Sequence, residues 1–317
     1  MMVSVIVATY NPDAGALKRT LDSIVCQKGV DWEVILTDDG SQQKDFSWLP
    51  AYFDNHRIQN YRLLENPENM GTIRNLLQGV QAAEGKYVYT TSPGDFLFDE
   101  FVLRDFYTFA EQKNCSLCFG NAVYYSAEDG APKLTNEGKS VPRNPEVYNR
   151  GRILGKMNFF LGDWICGVSY FHKRENWMGY LQQAAEICRY AEDASTTTLA
   201  LGNGERIWYY DRHIAWYEDG TGISTGNSSK WKDILKKEYQ AIFMKTLELH
   251  PADRLTQIAA LKYAGISQNT TKIKMIMKHP LIVIAKVLLL PKRKQKYLVV
   301  SQTDLERLQK LLSGEMA

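Results

Sequence analysis

The stretch "VSVIVATYN" (Val3–Asn11) decides how this chain is organised. It is an unbroken run of β-branched and small residues that stops at a Tyr-Asn pair. A strand with one wet face would alternate apolar and polar residues. A run that is apolar on both faces belongs to a strand covered on both sides, as in a parallel sheet sandwiched by helices. The next segment, "GALKRTLDSIVCQ", places Leu17, Leu21, Ile24 and Val25 at helical spacing. "WEVILTDDGS" then repeats the buried-strand pattern and ends in Asp38 and Asp39. "YRLLEN" reads as a third strand, "TIRNLLQGVQAAEG" as a second amphipathic helix and "KYVYTTS" as a fourth strand. Strand–helix–strand units in succession predict an α/β domain with parallel strands. In such sheets ligands collect beyond the carboxyl ends of the strands. Tyr10, Asp38, Asp39 and Asp95 all fall at those ends.

The chain of 317 residues is long enough for one large domain with an appendage. Its 44% hydrophobic and 23% charged residues are those of a globular protein. A formal charge of +2 gives no ground for a nucleic-acid partner. The start, "MMVSVIVATYN", has no basic n-region and no small-residue cleavage site, so a signal peptide is not expected. Five cysteines at irregular spacing predict reduced thiols and a cytoplasmic setting rather than a disulfide framework. Cys115 and Cys118 form a C-x-x-C inside a strand-like run, with no second pair to complete a zinc site.

The middle of the chain is rich in aromatics and glycine, with a helix expected over "AEDASTTTLALG", a strand over "RIWYYD" and a loop over "WYEDGTGIST". The last ninety or so residues read as helices, including "TDLERLQKLL", where Thr303 and Glu306 suggest a capping box. Between them "LIVIAKVLLL" is fenced by Pro280 and Pro291 and followed by Lys292, Arg293, Lys294 and Lys296. It is too short to span a bilayer. Residues 281–296 are therefore expected either to lie in a membrane interface, as apolar burial plus basic attraction to anionic lipid would allow, or to pack against the domain or a second copy in a homo-oligomer.

Acids at strand ends can accept hydrogen bonds from a base or a ribose, but Asp-Gly-Ser is also an ordinary turn and cap. No G-x-G-x-x-G follows the first strand and no Walker loop occurs, which removes the ordinary dehydrogenase and P-loop readings. Asp95 in "TTSPGDFLFDE" could hold a metal or cap the helix that follows. "VSVIVATYN", "DDGS", "ENPENMGTIRNLLQGVQAAEGKYV", an acid at the next strand end and "ED" about a hundred residues later form an ordered set. In order and spacing, over roughly Val3 to Ser224, this set resembles a family-2 glycosyltransferase.

The resemblance implies a GT-A fold, a Rossmann-like mixed sheet flanked by helices, over residues 1–226. The donor site would occupy 1–118 and the acceptor and catalytic part 119–226, with a helical region from 227 to 317. It implies inverting transfer of a sugar from a nucleotide donor, a UDP-sugar first of all, to a hydroxyl of a glycan or lipid-linked saccharide. The setting it suggests is bacterial surface polysaccharide synthesis at the inner face of the cell membrane. Ala8 and Tyr10 would line the base pocket, with Asp38 or, preferably, Asp39 accepting from the base. Asn69, Gly71 and Arg74 would lie near the ribose and diphosphate. Asp95 would be the metal acid for Mn or Mg, although Ser92, Pro93 and Gly94 stand where relatives carry further acids. His213 would be a second metal ligand. Asp193 would be the general base with Glu192 as its neighbour, and Asp163 and Trp164 would meet the acceptor. Two rival readings remain: a catalytically silent sugar-nucleotide-binding or scaffold protein, and a nucleotidyltransferase, which would usually carry a basic glycine-rich loop after the first strand.

Overall fold

The computed structural model describes residues 2–128, 131–135, 141–220, 222, 229–263, 273, 276–290 and 296–315. The first half runs β1 (Met2–Thr9), α1 (Ala14–Val25), β2 (Asp31–Asp38), α2 (Leu49–Asn55), β3 (Tyr61–Glu65), α3 (Thr72–Ala82), β4 (Tyr87–Thr91), β5 (Phe96–Leu97) and α4 (Val102–Lys113). It continues with β6 (Leu117–Glu128), β7 (Ala131–Leu134), α5 (Glu146–Asn149), α6 (Arg152–Phe160) and a 3-10 turn (Gly167–Ser169). Then come β8 (Tyr170–Lys173), α7 (Arg174–Ala184), α8 (Glu192–Gly202) and β9 (Ile207–Glu218). The helices α9 (Ser229–Leu249), α10 (Arg254–Tyr263), α11 (Pro280–Leu289) and α12 (Gln302–Ser313) complete the described chain.

Among the described residues the strands form one mixed sheet in the order β3-β2-β1-β4-β8-β6-β9-β5, with β7 on β6. β1 to β4 are mutually parallel, as the buried runs predict. β8 turns antiparallel to β4 and β6, and β9 runs parallel to β6. The pleat sends successive side chains to opposite faces. Val5 and Val7 of β1 therefore enter one layer, with Leu17, Leu21 and Phe106, while Ile6 enters the other, with Ile73, Leu76 and Leu199. Both faces of β1 are apolar because both are covered.

The C-terminal helices contribute to these same layers. Ile242 and Phe243 of α9 and Ala259 of α10 lie in one, and Leu308 and Leu311 of α12 lie in the other. The boundary drawn at 226 falls outside the described residues. On either side of it the chain shares its cores. α11 differs. Its Ile282 and Leu290 touch a small cluster of Met157, Leu161 and Ile258, while Leu281, Ile284, Val287 and Leu288 are between 53% and 76% exposed. The basic run Lys292–Lys294 lies outside the described residues.

Two local expectations change. β9 does not stop at Asp211 but pairs with β6 and β5 as far as Glu218, so the first residues of the expected loop "WYEDGTGIST" are strand. Most of the remainder lies outside the described residues. The capping box of α12 is made by Ser301 and Asp304, not by Thr303 and Glu306, because the helix begins two residues earlier. All five cysteines are free thiols, the outcome their spacing predicts. Ser301→Ala should lower the stability of the fold by about 1 kcal/mol in a denaturant titration, and Thr303→Ala should leave it nearly unchanged. A larger loss at Thr303 than at Ser301 would return the cap to Thr303.

Candidate active site

The carboxyl ends of β1 and β2 are knitted together by carboxylates. Asp38 is fully buried and accepts from Thr9 Oγ1 (3.0 Å), Ser41 N (2.9 Å), Ser41 Oγ (2.5 Å) and Lys44 Nζ (3.0 Å). Burial works to raise its pKa, but the donors of Ser41, Lys44 and Thr9 outweigh it and hold the carboxyl below the ordinary range. These donors use both lone pairs of both oxygens. Asp39, also buried, accepts from Met70 N (2.7 Å), Gly71 N (2.9 Å) and Asn66 Nδ2 (3.4 Å). Its Oδ2 keeps room for one more donor. Asp39 therefore ties the loop before α3 to the end of β2. Ala8 is half-buried, and Tyr10 is 54% exposed at the end of the strand. Asn11 is bound into the neighbouring loop through Ser41, Gln42 and Gln43. Asn69, Gly71 and Arg74 follow around α3; Arg74 donates to the Ala185 carbonyl and lines an open groove of about 400 Å³ with Glu68, Arg189 and Glu238.

At the end of β4, Asp95 is 7% exposed, and its Oδ1 accepts from Glu218 N at 3.0 Å. It is not a helix cap: α4 begins at Val102, with Phe101 as N-cap. Gly94 has φ +99, and a Cβ there would lie 2.4 Å from Glu218 Oε2. The Glu218 carboxylate thus sits over the Gly94–Asp95 turn. Burial, increased by the Glu218 charge and opposed by the Glu218 N–H, pushes the Asp95 pKa to about 8. His213 does not join this pair. It lies five positions back along β9, roughly 16 Å at about 3.3 Å per residue, edge-on to Phe98, with Nε2 2.8 Å from the Val299 carbonyl. Among the described residues no three His, Cys, Asp or Glu side chains converge on a metal position. Two carboxylates at a strand end do suit a divalent ion that takes its other ligands from phosphate and water.

Glu192 and Asp193 open α8. Both carboxyls are pushed above the ordinary range by burial, and Glu192 further by the charge of Asp193. Asp193 Oδ1 accepts from Ala194 N at 2.6 Å. The 3-10 turn packs directly on the pair: a Cβ on Gly167 would lie 3.2 Å from Glu192 Oε1 and 3.8 Å from Asp193 Oδ2. Next to it, the thiol of Cys166 is raised by burial and by the charges of both Asp95 and Asp193. The same turn also packs on β4 and β9, the strands that lead to Asp95 and Glu218. Asp163 is held within the protein. It accepts from Arg143 N, Tyr148 Oη and Asn158 Nδ2 and so braces the turn from beneath. Trp164 is 43% exposed beside it.

A family model described as glycosyl transferase family 2 matches residues 4–168, just over half of the chain. The chain belongs to glycosyl transferase family 2. It is a glycosyltransferase with a GT-A fold, as the ordered motifs imply. No curated protein matches the sequence closely enough to compare. Among solved structures, S. aureus TarS 1–349 in complex with UDP-GlcNAc is 16% identical, with a TM-score of 0.59 over 92% of this chain and 77% of that one. Against S. aureus TarS in its longer form the TM-score is 0.56 at 15% identity, covering 99% of this chain and 52% of that one. The mannosyltransferase PcManGT from Pyrobaculum calidifontis, in complex with GDP-Man and Mn2+, gives 0.54 at 16% identity, covering 98% of this chain and 84% of that one.

Three site residues of this family-2 glycosyltransferase escape a reading of its sequence. Glu218 ends β9 as Asp38 ends β2, and the same strand-end rule flags it once β9 is taken to its full length. Arg189 donates from one guanidinium nitrogen to Asn69 O (2.5 Å) and Asn69 Oδ1 (2.8 Å). Glu238, on α9, accepts from the backbone just before α8. Nothing local marks either of the last two. The raised pKa of Asp95 has a sign that can be tested. The folded protein keeps a proton that the unfolded chain releases, so this group's contribution to stability falls as pH rises from the ordinary carboxylate range toward about 8. In divalent-free buffer the melting temperature of the wild type should therefore drop more steeply than that of Asp95→Asn over that window. Parallel curves would refute the burial of an unscreened carboxyl.

Proposed function

We propose that this glycosyltransferase moves a sugar with inversion from a nucleotide donor, a UDP-sugar first of all, to a hydroxyl of a glycan or lipid-linked saccharide. The observation that carries the reading is two pairs of acids, Asp95 with Glu218 and Glu192 with Asp193, on elements that all neighbour the 3-10 turn Gly167–Ser169. Tyr10 offers an exposed ring for stacking on the base beside Ala8. Asp39 is the better base acceptor because Asp38 has no lone pair left. Asn69, Gly71 and Arg74 face the ribose and diphosphate. Arg74 spends one N–H on Ala185 and keeps others for phosphate.

Asp95 and Glu218 would hold the divalent ion, Mn or Mg. When bound, it neutralises charge that develops on the leaving diphosphate. Asp193 takes the proton of the acceptor hydroxyl as that oxygen attacks from the face opposite the diphosphate. Its raised pKa makes it a stronger base than an ordinary aspartate, and the charge of Asp193 in turn favours the protonated form of Glu192 beside it. Trp164 gives the acceptor sugar an apolar face, and Asp163 fixes the turn that presents it. The TarS complex with UDP-GlcNAc supports the uridine donor, and the PcManGT complex with GDP-Man and Mn2+ supports the ion. Synthesis of a bacterial surface polysaccharide, on the cytoplasmic face of the membrane, is the setting that fits.

A thermal-shift screen of UDP- and GDP-sugars, with and without Mn2+, should single out one donor whose stabilisation needs the ion. With that donor, Asp193→Ala should lose at least ~10²-fold in turnover while its donor affinity stays at the wild-type level. Wild-type turnover would remove the base assignment.

No helix among the described residues is long and apolar enough to cross a membrane. The outward row of α11 (Leu281, Ile284, Leu288) supports instead a peripheral contact, with the basic run behind it drawn to anionic headgroups. Binding to vesicles rich in anionic lipid should fall by more than about tenfold when these three residues become glutamine. Undiminished sedimentation with vesicles would turn the face toward a protein partner, which light scattering would reveal as a homo-oligomer.

A further inference from the structure

We propose that Glu238, on α9, is a positioning residue that sets the Glu192–Asp193 pair in place; the inference rests on Asp193 as the base. The N-terminus of α8 has a particular difficulty. Its N-cap is Ala191, which carries no side-chain acceptor, and the first-turn acids Glu192 and Asp193 lie against Gly167 of the 3-10 turn. The three backbone N–H groups that lead into the helix would be left without partners on the protein side, a cost above all for the part-buried amides of Tyr190 and Ala191.

Glu238 supplies the missing acceptor from another element. Its Oε1 accepts from Arg189 N at 2.9 Å, and its Oε2 accepts from Tyr190 N at 3.0 Å and Ala191 N at 2.8 Å. Three successive amides thus converge on one carboxylate, which also places negative charge near the positive end of α8. The carboxylate is itself held. α9 is anchored by Ile242 and Phe243 in the core layer that contains Leu199 of α8. Cys188 Sγ lies 3.5 Å from the Glu238 carbonyl, and Tyr190 meets Trp231 of α9 edge-on at 4.8 Å.

The same loop reaches the donor side. The Arg189 carbonyl accepts from Ile73 N at 3.1 Å, its guanidinium holds Asn69, and a Cβ on Gly71 would lie 2.2 Å from Arg189 Cγ. Residues 189–191 therefore stand between the loop assigned to the diphosphate and the acid pair assigned to the acceptor. Glu238 fixes their position from a helix outside the stretch that the family model matches. A glutamine in its place offers one carbonyl oxygen where two are used, and turns an N–H₂ donor toward amides that already donate.

The test uses the full chain with Glu238→Gln and Glu238→Ala. Glu248→Gln, which loses only an exposed ion pair on the same helix, is the control. Amide hydrogen exchange at Arg189, Tyr190 and Ala191 should accelerate by on the order of tenfold or more in both Glu238 variants and not in the control. The Asp193 carboxyl, followed by carbon NMR, should titrate closer to the ordinary range as water reaches the loosened start of α8. Release of nucleotide from UDP-GlcNAc or GDP-Man, whichever the wild type hydrolyses, should slow by a similar factor with donor affinity kept. Unchanged exchange and an unmoved Asp193 titration would overturn the proposal, as would a lower melting temperature with both site readouts intact. Asp193→Asn in the same nucleotide-release assay separates the two ideas. If it keeps wild-type rates the base reading fails, whereas the exchange and titration data judge Glu238 on their own.

Discussion

At the carboxyl edge of a parallel sheet the ladder of strand hydrogen bonds ends, and the loops that leave it carry backbone N–H groups into a crowded interior. Those donors must find acceptors there. In this protein carboxylates provide them. Asp38 holds Ser41, Asp39 holds Met70 and Gly71, Asp95 holds Glu218, and Glu238 holds Arg189 to Ala191. The site is a set of loops hung on acids. That is why an acid at a strand end so often supports both a structural and a chemical reading: the same side chain fixes the loop and, where a lone pair is spare, faces the ligand.

The count of donors around each acid separates the two uses. Asp38 has every lone pair filled and is held below the ordinary carboxylate range. Asp95 receives one backbone donor and faces Glu218, and burial dominates, so its carboxyl holds a proton far above the usual range. The α8 pair behaves in the same way, with only local backbone donors to oppose burial. Groups that the protein leaves under-satisfied are those available to a cation, a hydroxyl or a proton. The family assignment gives that distinction its chemical direction.

The fold was legible because it rests on local periodicity. Apolar runs on both faces of β1 and β2, helical spacing at Leu17, Leu21 and Ile24, and acids at the strand ends are all short-range patterns. The acid pair of α8 was legible by its order in the chain. The resemblance also suggested His213 as a second ligand, and the structure commits that ring to the Val299 carbonyl instead. Residues whose meaning lies in distant contacts were not legible. Glu238 reaches back 49 residues to Arg189, and Arg189 reaches back 120 to Asn69. No spacing rule carries information over such separations. The extent of β9 was missed for a related reason, since its pairing with β6 joins residues more than ninety positions apart.

Gly94 shapes the corner above Asp95 by the room it leaves. A side chain there would run into the Glu218 carboxylate, and its φ of +99 is one that residues with a Cβ rarely adopt. The corner above Asp95 has space for one further acid, which arrives from β9 rather than from the turn. The two positions should therefore covary among homologues: where residue 94 regains an acidic side chain, residue 218 should become small or turn away. A short run of acids along the chain and a short supply of acids in space are different things: the second carboxylate of this corner comes from β9.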